Sequence, residues 1–227
     1  MSTLNPHPEI PPSAVETTLE PPMSTAPTTL EAFSIGPLRV FSAWRPIYPD
    51  EPCGDICLAL ETRTGALVAA IDGGGHGADA RAAATMVARA LAAARDEPLD
   101  RMLALAHAEM QNTTRGAALA IALIGDGCAE WVSVGNVAGG VLHEGTFGAE
   151  LHRDAGSLGL HLPAADPTRL ELPPRGLVVL ATDGVERTFL SATTATVDPA
   201  ALASEILSRF RKGGDDALVV VAARAAR

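Results

Sequence analysis

The sequence is short of basic residues and of long apolar runs, and each shortage excludes a class of protein. It has 17 Lys and Arg against 27 Asp and Glu, a formal net charge of −10, which disfavours nucleic acid or an anionic membrane surface as a partner. No run of about 18 apolar residues occurs, and no basic stretch followed by an apolar one opens the chain. We therefore expect neither a membrane span nor a signal peptide, and by default a cytoplasmic protein.

Cysteine is also scarce. The chain has three cysteines, Cys53, Cys57 and Cys128. An odd number without a secretory context argues against a disulfide framework, and the Cys-x3-Cys spacing lacks the two further ligands that a zinc site needs. We expect reduced, partly buried thiols, of which Cys53 lies two residues from Asp55.

Length and composition predict one folded domain and a tail. The chain has 227 residues, 47% of them hydrophobic, which is enough for a substantial core. Residues 1–32 are rich in Pro, Thr, Ser and Glu without apolar periodicity, so they cannot bury enough surface to offset the entropy of ordering. We predict a disordered tail over 1–32 and a single domain over 33–227.

The apolar pattern of the domain predicts an α+β fold with antiparallel sheets and helices on their faces. Residues 38–47 are interpreted as an edge strand because Pro46 and Pro49 close them, and 56–62 and 66–71 as a hairpin. A Rossmann fold would alternate strand and helix throughout, and this order does not. The other predicted elements are helices over 78–94 and after Pro98, strands at 116–124, 129–134, 139–143, 168–172 and 177–182, a helix over 199–211 and a strand over 217–223.

Four aspartate positions stand at the ends of apolar runs, each beside a glycine or a second aspartate. Acidic side chains at strand ends, spread over the whole sequence, indicate one site that is assembled by folding. Converging carboxylates repel one another unless protons or cations neutralise them. The pattern therefore predicts a divalent metal site with more than one ion, built from Asp55, Asp72, Asp183 and Asp215, the last of which is followed by Asp216.

The chemistry of hard cations suggests how these residues share the ions. Mg²⁺ and Mn²⁺ prefer oxygen ligands in octahedral geometry and keep several waters. Asp72 can bridge two ions, with the carbonyl of Gly73 beside it. Asp183 and Asp215 can complete one ion, and Asp55 can serve the other or a water of its shell. Two ions about 3.5–4 Å apart hold a hydroxide for attack on a phosphoryl group, the chemistry of a metallophosphatase without a protein nucleophile.

Taken together, the motifs resemble the bacterial branch of the metal-dependent PPM (type 2C-like) serine/threonine phosphatases. The closest similarity is to the SpoIIE group and to its small RsbX-type phosphatases of stress-response partner-switching systems. The resemblance covers about residues 36–223 in the right order. The motifs that carry it are Gly54-Asp55, Asp72-Gly-Gly-Gly-His-Gly-Ala78, Thr114-Arg-Gly-Ala-Ala118, Ala181-Thr-Asp-Gly184 and Gly214-Asp-Asp-Ala217.

The resemblance implies a PPM-type β-sandwich of two antiparallel sheets flanked by helices. It implies a phosphoric monoester hydrolase in which a metal-activated water attacks phosphoserine or phosphothreonine on a regulator, typically a STAS-domain protein. The implied cofactor is Mn²⁺ or Mg²⁺, with two ions. Asp72 and Asp55 would be the catalytic aspartates, and Asp216 takes the family's second acidic or amide position. The implied metal-site positions are Asp55, Asp72, Gly73 through its carbonyl, Asp183 and Asp215.

The sequence departs from the eukaryotic members at the general acid, and several roles stay open. Those enzymes place a histidine two residues after the bridging aspartate, whereas His76 stands four residues after Asp72 and can be either an acid or a residue that orients the helix start. Arg115 is expected to form a structural ion pair, with contact to substrate phosphate as the alternative. Asn136 is expected to be a turn residue with left-handed backbone angles. The loop 156–159 resembles a family loop near the site.

Two other functions fit the same sequence. The first is a non-catalytic PPM-like module that sequesters a signalling partner, which requires the helix pair over 78–112 to be an interaction surface. The second is a phosphodiesterase or small-molecule phosphatase with the same two-metal chemistry.

Overall fold

The computed structural model describes residues 28–111, 113, 115–194 and 198–224. Within these ranges the chain forms eleven strands, three α-helices and one 3-10 helix, Arg187–Ser191. The α-helices are α1 (Gly77–Ala93), α2 (Leu99–Met110) and α3 (Pro199–Phe210). The strands are β1 (Thr29–Ile35), β2 (Leu38–Arg45), β3 (Asp55–Thr62), β4 (Gly65–Gly73), β5 (Ala117–Ile124), β6 (Cys128–Val134), β7 (Ala138–His143), β8 (Thr146–Glu150), β9 (Thr168–Glu171), β10 (Leu177–Ala181) and β11 (Ala217–Arg224).

The strands form two antiparallel sheets that pack face to face. Sheet A has the order β1-β2-β11-β10-β7-β8, and sheet B has the order β3-β4-β5-β6-β9. The pairs within each sheet are antiparallel, as in the β10–β11 and β3–β4 pairs. The predicted α+β sandwich of two antiparallel sheets with helices is confirmed.

Strand β4 is covered by apolar residues on both of its faces. Its side chains alternate, so that Leu67, Ala69 and Ile71 pack under the helices of sheet B. Val68 and Ala70 pack instead between the two sheets. A strand that is covered on both faces must be apolar at every position, and residues 66–71 are all fully buried.

The helices cover the outer faces of the two sheets. The buried residues of α1 and α2, among them Val87, Leu91 and Met102, pack against sheet B. Leu202 and Ile206 of α3 pack against sheet A. Helix α3 begins at a capped end, because the side chain of Asp198 accepts a hydrogen bond from the backbone N–H of Ala201 at 2.8 Å. The sequence predicted all three helices to within one or two residues at each end.

Two predictions about the first strands are wrong. The segment 29–32, predicted as part of the tail, starts strand β1, which pairs residue by residue with β2. Most of its side chains are exposed, so backbone hydrogen bonds rather than apolar burial hold it, and composition gives no signal. Strand β2 is not an edge strand, because it lies between β1 and β11. The prolines that suggested an edge follow the strand instead of lying within it.

Other predictions are tested only in part. Strand β8 and the 3-10 helix were not predicted from sequence. The predicted tail up to residue 27, and Thr114 within one of the family motifs, lie outside the described residues.

All three cysteines are free thiols, and burial raises the pKa of Cys57 to about 12. Among the helices of the described ranges, none is long and apolar enough to cross a membrane.

Candidate metal centre

Sheet B brings two of the predicted aspartates together as a cross-strand pair. Asp55 opens β3 and lies directly opposite Asp72 near the end of β4. Their carboxylates belong to the face of the sheet that looks into the sandwich, since Ala70 and Cys57, two residues along each strand, pack between the sheets. Asp55 is buried, with 5% of its surface exposed, and Asp72 is partly exposed.

Sheet A supplies the other acidic residues from two adjacent antiparallel strands. Asp183 follows the end of β10 by two residues, and Asp215 and Asp216 precede β11. Because β10 and β11 run antiparallel, with Ala181 opposite Val219, these residues lie at the same end of the sheet. Asp216 is buried, whereas Asp183 and Asp215 are partly exposed. The structure therefore places the predicted acidic residues together at one end of the sandwich.

A hydrogen bond at this end joins the two sheets. The Thr182 hydroxyl of sheet A donates to Asp55 Oδ2 of sheet B at 2.7 Å. The same Oγ1 accepts the backbone N–H of Leu218 at 2.9 Å, so the hydroxyl is fixed from both sides. In the sequence Thr182 ends an apolar run and lies within the motif Ala181-Thr-Asp-Gly184, but neither feature indicates a bond to Asp55.

Glycines allow the backbone to approach closely beside two of the aspartates. A Cβ on Gly73 would lie 2.0 Å from the backbone oxygen of Ala80 in α1, and a Cβ on Gly184 would lie 1.8 Å from that of Asp216. Larger residues at either position would push an acidic residue out of place. The Asp-Gly pairs of the sequence therefore reflect packing as well as turn formation.

The carboxylates raise the pKa values of one another. Burial raises the pKa of Asp55 well above its ordinary value, and the nearby Asp216, Asp215 and Asp183 raise it further, against the Thr182 hydrogen bond that lowers it. Burial and the same group of neighbours, Asp55 first, also raise the pKa of Asp72. The pKa of Asp215 is raised by burial and by Asp183. Crowded acidic side chains of this kind are stabilised by a cation.

The donor set fits Mg²⁺ or Mn²⁺. Carboxylates from both sheets and the carbonyl of Gly73 provide only hard oxygen ligands, as these ions require. Within the described part of the chain, no group of three or more His, Cys, Asp or Glu side chains by itself forms a metal-binding cluster. The residues that would hold the ions are Asp55, Asp72, Gly73, Asp183 and Asp215.

Asp216 has a different set of contacts from its neighbour Asp215. Both of its carboxylate oxygens accept backbone N–H groups, Oδ1 from Ile47 at 2.7 Å and Oδ2 from Gly54 at 2.5 Å. These bonds tie the connection between β2 and β3 to the start of β11. Asp216 therefore places Asp55 by holding the glycine before it.

His76 stands at the start of α1 and contacts the loop before β3. Its Nδ1 lies 2.7 Å from Glu51 Oε2, and its ring meets that of Tyr48 edge-on, with 5.2 Å between the centroids. It occupies the N-cap position without a side-chain cap bond. Its positive form would lower the pKa of Asp215, which places the ring near the acidic residues. These contacts fit the second of its two predicted roles, a residue that orients the helix start, while its role as an acid stays a prediction.

Three arginines lie near the acidic residues. Arg115 Nη1 donates to the carbonyl of Gly74 at 3.1 Å, and its Nη2 lies 3.7 Å from Asp79 Oδ2. The ion pair predicted for Arg115 is thus present. Arg45 ends β2 opposite Ala217. Burial and the nearby Arg45 lower the pKa of Arg211, which follows α3.

Asn136 differs from its predicted conformation and has a contact that sequence did not indicate. The positive φ at this turn belongs to Gly135, at 93°, and Asn136 itself is not left-handed. Glycine takes the strained angle without a Cβ, so the asparagine need not. The Asn136 side-chain amide instead donates to Asp183 Oδ2 at 2.5 Å. The loop 156–159 lies beside the start of β5, because Leu158 forms a β-bridge with Ala117.

Comparison with known protein families shows to which family the chain belongs. The family model of Stage II sporulation protein E (SpoIIE) matches residues 62–225. The chain belongs to the SpoIIE family. The match includes Asp72, Asp183 and Asp215, and Asp55 lies just before it. No curated protein sequence matches the chain.

Solved structures have the same fold at low sequence identity. RsbX in complex with magnesium has a TM-score of 0.69 and 14% identity, and the match covers 87% of this chain and 100% of RsbX. The catalytic domain of the serine/threonine phosphatase PstP with two manganese ions has a TM-score of 0.64 and 21% identity, with 83% and 99% covered. A structure from work on the bacterial stressosome has a TM-score of 0.69 and 24% identity, with 82% and 98% covered. The sandwich is that of the PP2C-type phosphatases.

Proposed function

We propose that the protein is a metal-dependent serine/threonine phosphatase that acts on a phosphorylated regulator protein. The observation that carries the proposal is the convergence of acidic residues from both sheets at one end of the sandwich. Asp55 and Asp72 form a cross-strand pair. Burial raises the pKa of each; Asp216, Asp215 and Asp183 raise that of Asp55 further, and Asp55 is the first neighbour to raise that of Asp72. When two divalent ions are bound, they supply an activated water and stabilise the charge that develops on the phosphoryl group.

The roles of the residues follow from their contacts. Asp72 would be the ligand shared by the ions, because it faces Asp55 across the ladder and is followed along β4 by Gly73, whose carbonyl would be a further ligand. Asp183 and Asp215 would complete the shell from the other sheet. Thr182 keeps the Asp55 carboxylate oriented through its hydroxyl. Hydrogen bonds of this kind to a metal ligand fix its direction.

A STAS-domain protein is the substrate that we propose. Similarity to RsbX, and to a structure from work on the stressosome, supports a partner-switching context for this fold. The negative charge of the chain, −10, is compatible with a protein substrate rather than nucleic acid. We further propose that the protein acts in the cytoplasm, where such regulators work.

The test is hydrolysis by the purified full-length protein. With Mn²⁺, we expect release of inorganic phosphate from a phosphoserine STAS-domain protein and from a small aryl phosphate, and no release with a chelator. Asp72→Ala should lower the rate about 100-fold or more, because the loss of a ligand exceeds the 10–100-fold loss that is typical of its outer contacts. Asp166→Asn, a change at an exposed acidic residue of the loop before β9, is the matched control and should leave the rate unchanged.

The results separate this proposal from its alternatives. If wild-type protein with Mn²⁺ hydrolysed neither substrate, the enzyme would be excluded. If in addition Asp72→Ala still bound the partner, a sequestering module would be favoured. Hydrolysis of the aryl phosphate or of a phosphodiester, without that of phosphoprotein, would instead indicate a small-molecule substrate.

A further inference from the structure

The turn between β6 and β7 places Asn136 opposite Asp183. Strands β7 and β10 are antiparallel, and their ladder ends with Ala138 opposite Ala181. Continuing the register by two residues on each strand brings Asn136 to the level of Asp183. The pairing of the two side chains is therefore a consequence of the sheet register, which a reading of local sequence does not show.

Two contacts on the far side of the turn involve its backbone and not the Asn136 side chain. The backbone N–H of Gly135 donates to the carbonyl of Asp154 at 2.8 Å. Nη1 of Arg153 donates to the backbone carbonyl of Asn136 at 3.5 Å. Both contacts use backbone atoms of the turn, so they leave the Asn136 side chain available for Asp183.

The hydrogen bond from Asn136 takes up one oxygen of Asp183. Nδ2 of Asn136 donates to Oδ2, which fixes the plane of the carboxylate. The other acidic residues accept hydrogen bonds from different donors. Asp55 is oriented by Thr182, and Asp215 accepts the backbone N–H of Asp216 at 2.9 Å. Among the side-chain hydrogen bonds of the described residues, the bond from Asn136 is the one that Asp183 receives.

We propose that Asn136 is a positioning residue, which orients the Asp183 carboxylate for divalent-cation binding. The inference rests on the proposed metal centre, in which Asp183 is a ligand. An amide is suited to this role because it donates a hydrogen bond without carrying a charge, and so does not compete with the cation. Loss of an outer contact of this type costs 10–100-fold in metal affinity or activity.

The exposure of Asn136 makes the proposal testable without unfolding the protein. The residue is exposed, so its substitution removes little packing. Asn136→Ala deletes the donor, and Asn136→Leu deletes it while keeping the volume. We expect both variants to bind Mn²⁺ about 10–100-fold more weakly than wild type by titration calorimetry, with the melting temperature of the metal-free protein unchanged. Their phosphatase rate should approach that of wild type at saturating Mn²⁺.

The matched control is Arg153→Ala. This change removes the contact with the Asn136 backbone and leaves the bond from the side chain to Asp183. We expect its Mn²⁺ affinity to equal that of wild type. If it weakened binding as much as Asn136→Ala, the shape of the turn rather than the amide donor would be responsible, and the proposal would be overturned.

Two further outcomes separate this inference from the proposed function. Wild-type affinity in both Asn136 variants would overturn the positioning role, even if the protein hydrolysed phosphoprotein. Weakened Mn²⁺ binding in both variants, with no hydrolysis by wild type of any phosphorylated substrate, would support the positioning role and overturn the proposed function.

Discussion

The two sheets contribute to the acidic end of the sandwich in different ways. Sheet B supplies Asp55 and Asp72 from within a β-ladder, where the register sets their backbones opposite each other. Sheet A supplies Asp183 and Asp215 from positions just outside its strands, where side-chain and turn hydrogen bonds orient them. One half of the centre is thus built into the sheet and strongly desolvated, and the other half depends on outer contacts.

This difference suggests a division of tasks between the halves. Asp55 and Asp72 have their backbones fixed in the ladder, and burial together with neighbouring carboxylates raises their pKa values, so a cation that neutralises them removes a large penalty. Carboxylates on turns can adjust to the ion. We infer that the acidic residues of sheet B contribute more to cation affinity than those of sheet A.

The largest effect should come from changing one aspartate of each half. Asp72→Asn removes the bridging charge, and we expect the phosphatase rate to fall about 100-fold or more. Asp183→Asn removes the charge of a ligand on a turn that can adjust to the ion, so we expect a smaller loss than in Asp72→Asn at the same Mn²⁺ concentration. Steady-state hydrolysis of an aryl phosphate measures both. An equal loss in the two variants would break the distinction between the sheets.

Gly73→Ala tests the close packing on the side of sheet B. A Cβ at this position would lie 2.0 Å from the backbone of α1, so either the helix or the metal-site strand must shift. We expect a loss of about 3 kcal/mol in the free energy of unfolding, measured with urea on the metal-free protein. Gly148→Ala is the control, because nothing lies within 4 Å of a Cβ there. Similar stability of the two variants would argue against the tight packing of α1 on β4.

Thr182→Val tests the bond that joins the two halves. The change keeps the shape of the side chain but leaves Asp55 and the N–H of Leu218 without their hydroxyl partner. We expect a loss of about 1–3 kcal/mol in the free energy of unfolding and a weaker affinity for Mn²⁺. Thr85→Val is the control, since its hydroxyl bonds only to the helix backbone at Arg81. Unchanged Mn²⁺ affinity in Thr182→Val would show that the two halves act independently.

The smallest effect concerns the pH dependence of the metal-free protein. The pKa values of Asp55 and Asp72 are raised in the folded state above the ordinary 3.8, so the folded state binds protons more tightly than the unfolded state does. Their contribution to stability is complete below about pH 4 and is lost as the pH rises through the raised values. Melting temperatures measured between about pH 4 and 8 should therefore fall less in Asp72→Asn than in wild type.

Added Mg²⁺ should restore the stability of wild type at high pH, because the cation replaces the protons. An equal pH dependence in wild type and Asp72→Asn would show that repulsion at Asp72 contributes little. Asp183→Asn keeps both Asp55 and Asp72, so we expect its melting temperature to depend on pH as that of wild type does, which sharpens the comparison between the sheets.

Local sequence predicted those features that local chemistry determines. Apolar runs bounded by an aspartate are visible residue by residue, so most strands and the convergence of Asp55, Asp72, Asp183 and Asp215 could be predicted, while their role as metal ligands stays a prediction. Features that depend on pairing between distant strands could not. Asn136 meets Asp183 because their strands pair in one sheet, and Thr182 meets Asp55 because the two sheets pack together. Both pairs are far apart in the sequence, so local sequence does not indicate either contact.

The first strand shows a second limit. β1 has mostly exposed side chains and is held by its backbone ladder to β2, so neither composition nor periodicity separates it from the tail before it. Asp216 is a further example, because the sequence shows it only as an acidic residue next to the predicted ligand Asp215. Its carboxylate accepts two backbone N–H groups that the fold brings from the β2–β3 connection.

Titration calorimetry with Mn²⁺ tests most directly whether the acidic residues of the two sheets form one cation-binding centre. The proteins to compare are wild type, Asp72→Asn from sheet B and Asp183→Asn from sheet A, with Asp166→Asn as the control. We predict binding to wild type and to the control, and affinity that is at least 10-fold weaker in each of the other variants, the greater loss being in Asp72→Asn. Wild-type affinity in either Asp72→Asn or Asp183→Asn would contradict a single centre shared by both sheets.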